Sequence, residues 1–192
     1  MDIWVPSKRR GHVRADVRFY HGGEKEPFRE DLDLHNIWHD EGELFLLSLA
    51  FATGYANYGS PTPANLYLGL DNRAALAEAD TLATLVNELP ATPLPGTGYA
   101  RIALSTAGTG AGGQDFVISQ PAAAYRVTSK SCVFTAGGAW AEVRNMFLTT
   151  HATAVASASG QRLLASLALA HGAITLILND TVTATIYVGI SE

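Results

Sequence analysis

The sequence predicts a mainly β protein: an antiparallel β-sandwich or jelly roll with one or two short helices and an extended N-terminal arm. Three observations lead there. From Tyr99 onward short apolar segments recur at fairly even spacing: "YARIALS", "DFVIS", "AYRVTSKSCVFTA", "AEVRNMFLTT", "QRLLASLALA" and "TVTATIYVGI". Gly-rich or Asn-Asp turns separate several of them, namely "GTGAGG", "TAGG", "SASG" and "LND". Helical patterns are confined to the stretch before residue 90. Many short strands at even spacing point to antiparallel packing rather than to alternating β-α-β units.

The elements follow in order. Residues 1–33 hold five of the thirteen Lys and Arg residues within the first eighteen positions, then an acidic patch from Glu24 to Asp33. Apolar residues are sparse there and show no sustained period, which predicts an extended arm or a pair of edge strands. Trp4, Phe19, Tyr20 and Phe28 need something to pack against, so the arm reads as an interaction segment. Its expected contact residues are Trp4, Lys8, Arg9, Arg10, Arg14 and Arg18. Residues 34–192 then form a single β-rich domain. "NIWHDEGELFLLSLAFATG" offers an apolar helical face, with Asp40 and Glu41 near its start and Gly54 as a stop. "NLYLGL" alternates Leu66, Leu68 and Leu70 with Tyr67 and Gly69, the period of a strand. "ALAEADTLATLVNEL" returns to helix, and Asp80 is a candidate N-cap for a run from Thr81. At the C-terminal end a hairpin is expected around Asn179 and Asp180. Its last strand would turn Val182, Ala184, Ile186, Val188 and Ile190 to one side.

Composition narrows the function. The chain is 192 residues long, 47% hydrophobic and 16% charged, well within the globular range. A net charge of −5 gives no general attraction to nucleic acid or anionic membrane. The single cysteine, Cys132, allows no internal disulfide and reads as a buried small hydrophobe. The N-terminus carries its positive charges after the first apolar residues and has no apolar h-region. The longest apolar run, "LFLLSLAFA", is about half of what a membrane span needs. A soluble chain, kept in the cytoplasm or assembled there into something larger, is the expectation.

A search for chemistry yields little. His35, His39 and Glu43 would share one side of a continuous helix and could hold zinc or iron. Gly42 interrupts that helix, however, and the metalloprotease pattern needs Glu where Asn36 stands. "GTGAGGQ" lacks the helix and the acidic residue of a dinucleotide loop and the Gly-Lys-Ser/Thr of a P-loop, so it reads as a hairpin tip. There is no Gly-x-Ser-x-Gly elbow, and His151 and His171 stand apart. Tyr55, Tyr58 and Trp140 are the aromatics that would stack on sugar if the chain were a carbohydrate-binding module. No enzyme, no cofactor and no metal is expected.

Read as an ordered series, "DLHNIWHDEGELFLLSLAF", "NLYLGLDN", "EADTLATLVNELP" and "GTGYARIAL" resemble a plan found in tailed-bacteriophage structural proteins. There, Asn-x-x-x-(Asp/Asn)-Glu-Gly precedes a buried helix, and a Tyr-x-Gly-Leu strand follows. An Asp-Thr cap, a Glu-containing loop and a Tyr-x-x-Arg-like strand come after it. The matching positions are Asn36, Asp40, Glu41 and Gly42; Tyr67, Gly69 and Leu70; Asp80 and Thr81; Glu88; and Tyr99, Ala100 and Arg101. The resemblance spans roughly residues 34 to 190. It implies a virion structural protein, assembled in the host cytoplasm, that binds the major capsid protein or other virion proteins as a homo-oligomer. A capsid decoration (cement) protein is the favoured role, and a collar, neck or tail component the next. In that setting Asp80, Glu88, Tyr99 and Arg101 are structural. Arg101 would pair with a carboxylate (Glu88) or with loop carbonyls at the entry to the main sandwich.

Overall fold

Val13, Ala15, Val17 and Phe19 alternate with Arg14, Asp16, Arg18 and Tyr20, and in the computed structural model the first set is fully buried. The structure describes residues 10–42, 64–85, 98–106, 115–120, 126–152 and 162–191. Its strands are β1 (Arg10–Tyr20), β2 (Arg29–Trp38), β3 (Asn65–Asp71), β4 (Ile102–Ser105), β5 (Phe116–Ser119) and β6 (Arg126–Ser129). They continue with β7 (Cys132–Thr135), β8 (Trp140–Val143), β9 (Asn145–Thr149), β10 (Leu163–Ala168), β11 (Ile174–Leu176) and β12 (Thr181–Ser191). The chain is mainly β, as expected. Among the described residues no helix is long and apolar enough to cross a membrane.

Among the described residues ten strands make one antiparallel sheet in the order β4-β3-β9-β10-β2-β1-β12-β6-β5, with β7 also paired to β12. β2 belongs to both halves. Its residues up to His35 pair with β1, and Asn36–Trp38 pair with β10. The sheet can fold over because β2 bends: Ala15 faces Leu34 and Val17 faces Asp31, so two residues of β2 oppose Asp16 alone. Asp33 takes the left-handed conformation there (φ 52°), and its backbone N–H donates to Asp16 Oδ1 at 3.0 Å. This is a β-bulge, and it turns the strand from one half to the other. Beyond the bulge Asn36 Oδ1 accepts from Val13 N at 2.9 Å, replacing the ladder bond lost where β2 leaves β1.

β6 and β7 both run beside β12, at Tyr187–Gly189 and Thr181–Ala184 respectively. At the break between them Ser129 Oγ accepts from Ile186 N at 2.9 Å. β7 then lies against β4, so the sheet nearly closes on itself. Tyr99 joins the two edges. Its hydroxyl accepts from Leu70 N at 2.9 Å and donates to Leu70 O at 3.3 Å. The ring meets Trp140 edge-on at 5.5 Å and stacks on Phe134 at 6.3 Å.

Several sequence expectations change. From Arg10 on, the segment expected as an arm is a strand at the centre of the sheet, between β2 and β12. Trp4, Lys8 and Arg9 lie outside the described residues. Asn36–Trp38, expected to open a helix, end β2, while most of that helix lies outside the described residues. Residues 75–85 form turns and one 3-10 turn, Leu82–Thr84. Asp80 does not cap it: Oδ2 accepts from Ala77 N at 3.0 Å and from Arg73. The C-terminal hairpin is not one either, because β11 pairs with β8 and β12 pairs with β1. The alternation within β12 holds for Val182, Ala184 and Ile186, which are buried.

Candidate functional site

The densest chemistry among the described residues lies between β3, β9 and β10. β3 ends at Asp71, which has no contact with solvent. Its Oδ1 accepts from Arg73 N at 2.9 Å and Asn145 Nδ2 at 2.7 Å, and its Oδ2 from the Arg73 guanidinium at 2.8 and 3.2 Å. Asn145 gives its second N–H to Arg73 O at 2.8 Å. Arg73 reaches Asp80 Oδ2 at 2.9 Å and Ser166 Oγ at 2.7 Å. Ser166 lies 2.8 Å from His39 Nε2, and His39 Nδ1 lies 2.9 Å from Ala77 O. A carbonyl can only accept, so Nδ1 carries the proton and Nε2 accepts from the serine hydroxyl. Burial, then the Arg73 charge, pushes the His39 pKa below its ordinary value, which agrees with a neutral ring.

Ser166 and His39 thus stand as nucleophile and base would stand. Both are 0% exposed. With Arg73 donating to Ser166 Oγ, and Asn145 to Asp71 and the Arg73 carbonyl, the group is a closed hydrogen-bond lock joining three strands to the 73–80 turn. A buried network of this kind fixes geometry when all its members are satisfied. The acid side of its stability follows from the direction of the His39 shift. Unfolded, the ring takes a proton near its ordinary value of 6.5; folded, it does so only at lower pH. The unfolded chain therefore binds more protons as pH falls through that value, and stability drops. Arg73, Asp71 and Asp80 are the charged groups around the ring. Melting temperatures measured between pH 7.5 and about 5 should fall for the wild type. They should fall less steeply for His39→Gln, which keeps a donor and an acceptor but does not titrate.

A second polar group gathers at one pole, where the β1–β2, β10–β11 and β11–β12 connections meet. Asp31, fully buried, is held by Arg29 (2.6 Å to Oδ2) and by a short hydrogen bond from His171 Nδ1. Burial raises the Asp31 pKa, but the Arg29 and His171 hydrogen bonds outweigh it, and the carboxyl stays below the usual range. Arg29 also donates to Gly172 O at 2.9 Å and lies over the Phe19 ring at 5.1 Å. Nearby, His21 Nδ1 lies 3.2 Å from buried Asp180, which closes its own turn by accepting from Ile177 N at 3.0 Å. Stacked on His21 at 4.0 Å, Phe28 leaves part of its ring in solvent.

The residues singled out in the sequence are placed as follows. Arg14 donates to Asp33 at 2.8 Å and Arg18 to Glu30 at 2.7 Å, across the β1–β2 ladder, so these two arginines are neutralised by the acidic patch after them. The backbone of Arg10 opens β1. His35 and His39 do not come together: His35 is exposed on β2, beside Asp33 at 3.7 Å, and His39 is inside. Period-two geometry and the end of β2 separate side chains that a helix would have stacked. Glu43, Glu88, Tyr55 and Tyr58 lie outside the described residues. Trp140 is core, not surface, and is closed to a sugar. Arg101 donates to the loop carbonyl of His151 at 2.7 Å and lies over the Phe147 ring at 5.2 Å. Cys132 is buried, and that burial pushes its thiol up to about 11. Asp71, Arg73, Asn145 and Ser166 carried no local signal beyond the charged pair closing "LGLDNR".

No family model, no curated protein and no solved structure matches the chain.

Proposed function

We propose that the chain is a non-enzymatic virion structural protein of the tailed-phage kind, and that it decorates the capsid by binding the major capsid protein in many symmetric copies. In this reading the folded-over sheet is a jelly-roll-like sandwich in which β2 is the shared strand. One observation carries the reading: several of the described residues in the ordered motif series hold contacts between elements. Asn36 holds Val13 at the β1–β2 fork. Glu41 Oε2 accepts from Leu82 N at 3.1 Å and Leu163 N at 2.9 Å, pinning the 3-10 turn to β10. Gly42 packs so closely that a Cβ there would lie 2.2 Å from Leu164 O. At Gly69 a Cβ would lie 2.2 Å from the Phe147 ring. Asp80 holds Arg73, Tyr99 holds Leu70, and Arg101 holds the His151 carbonyl. Residues that hold joints support the reading of a rigid, repeated body.

Assembly on a symmetric shell amplifies modest contacts through their number. Arg14 and Arg18 pair within the chain, and in this reading Lys8, Arg9 and Arg10 are the basic residues proposed to meet an acidic capsid surface. Electron cryomicroscopy of the particle tests the reading. Density for this chain at every equivalent position of the capsid lattice is the expected result. A single ring at the neck or tail would transfer the role there, and absence from the particle would overturn the proposal.

A further inference from the structure

The edge strand β5 differs from the rest of the sheet. Among the described residues it is hydrogen-bonded on one side, to β6, in the register Phe116↔Ser129 to Ser119↔Arg126. Val117 is 60% and Ile118 59% exposed, and in a strand these neighbours point to opposite faces. The strand therefore projects past the core with apolar groups on both sides. Its four residues include no charged side chain and no proline, the usual devices that blunt a free edge. Ahead of it, Asp115 is fixed: its carboxylate accepts from Ser105 N at 2.7 Å and pairs with Lys130 at 2.7 Å. The Lys130 hydrogen bond, then that of Ser105, holds the Asp115 carboxyl below its usual range.

We propose that β5 is a homodimerisation edge, on which a second copy of the chain adds its own β5 antiparallel about a two-fold axis at Val117. The pattern selects both the occupant and the register. Residues directly opposite in an antiparallel ladder point to the same face. With the axis at Val117, that side chain meets Val117 of the second copy on one face. On the other face Phe116 meets Ile118 of the second copy, and Ile118 meets its Phe116. Aromatic and β-branched cross-strand pairs are among the favourable ones. Each Asp115 then faces Ser119 of the other copy, so no like charges oppose. Moving the axis to Ile118 would set Val117 against Ser119 and Phe116 against Gln120 and lose the apolar matches. The two 10-stranded sheets become one continuous sheet, and because the contact is isologous it closes at two copies.

This inference deepens the assembly reading by naming the surface through which copies meet, and it is tested on the isolated full-length chain. Sedimentation velocity should show a dimer for the wild type and a monomer for Val117→Lys, which sets two ammonium groups face to face on the axis. Circular dichroism should show the variant folded. Independently, Val117→Cys should oxidise to a disulfide-linked dimer, while Ile177→Cys, 59% exposed in the β11–β12 connection, should not. Cys132, buried and with its pKa raised, leaves the background low. A monomeric wild type, or equal cross-linking at both positions, overturns β5 pairing and leaves the virion role standing. A β5 dimer that is absent from the particle does the reverse.

Discussion

Arg73→Leu is expected to lower the unfolding free energy by about 3–5 kcal/mol, the usual cost of leaving a buried charge without its partner. Leucine removes both bonds to Asp71 Oδ2 and the bonds to Asp80 and Ser166. The Asp71 carboxylate stays in place with two donors on Oδ1 and none on Oδ2. Lysine is no substitute, because one ammonium cannot reproduce a planar fork serving three acceptors. Denaturant unfolding followed by the fluorescence of buried Trp140 measures the loss. The double variant Asp71→Asn with Arg73→Leu should recover part of it by removing the stranded charge. A double variant no better than the single would show that packing, not charge, carries the effect.

Gly69→Ala should cost about 2–3 kcal/mol as overpacking. The added methyl would lie 2.2 Å from Phe147 Cζ and 2.6 Å from Cε1, and Phe147 is itself fully buried between Leu82 and Leu163. A methyl in a strand would otherwise be a small gain over glycine, so the sign of the change isolates the clash. Phe147→Leu alone should also destabilise, by loss of ring volume. Combined, the two changes should cost less than their sum, with a coupling of about 1 kcal/mol or more. Strict additivity would mean that the ring does not occupy the space above Gly69.

What could be read in the sequence, and what could not, follows from how each element is built. From Tyr99 on, every segment expected as a strand contributes one or two, because each keeps its alternation or a short apolar run between turn residues. β1 alternates strictly from Val13 to Phe19, contrary to the lack of period expected for residues 1–33; the charged residues between its apolar positions give the stretch the composition of an arm. β2 is hidden for a different reason. The bulge at Asp33 shifts its period midway, and a buried position is taken by Asp31, which only Arg29 and distant His171 make tolerable. In the sequence Arg101 reads as pairing with a carboxylate, Glu88, or with loop carbonyls; it donates to the His151 carbonyl, and Glu88 lies outside the described residues. The polar lock was not legible. Its members are ordinary polar residues, and Arg73 meets Ser166 across 93 positions of chain.

The pairing of β1 with β12, from Arg10↔Ser191 to Tyr20↔Thr181, also sets the order of events in the cell. The strand that leaves the ribosome first among those described must wait for the one that leaves last. Until then its apolar face, Val13 to Phe19, has no permanent neighbour on that side. Half-made chains therefore cannot complete the middle of the sheet and finish the rim afterwards. Such non-local topology makes folding slow and late, and the waiting chain is exposed to aggregation during synthesis. Expression yield should depend on how fast translation reaches residue 191 and on what shields the first strand in the meantime.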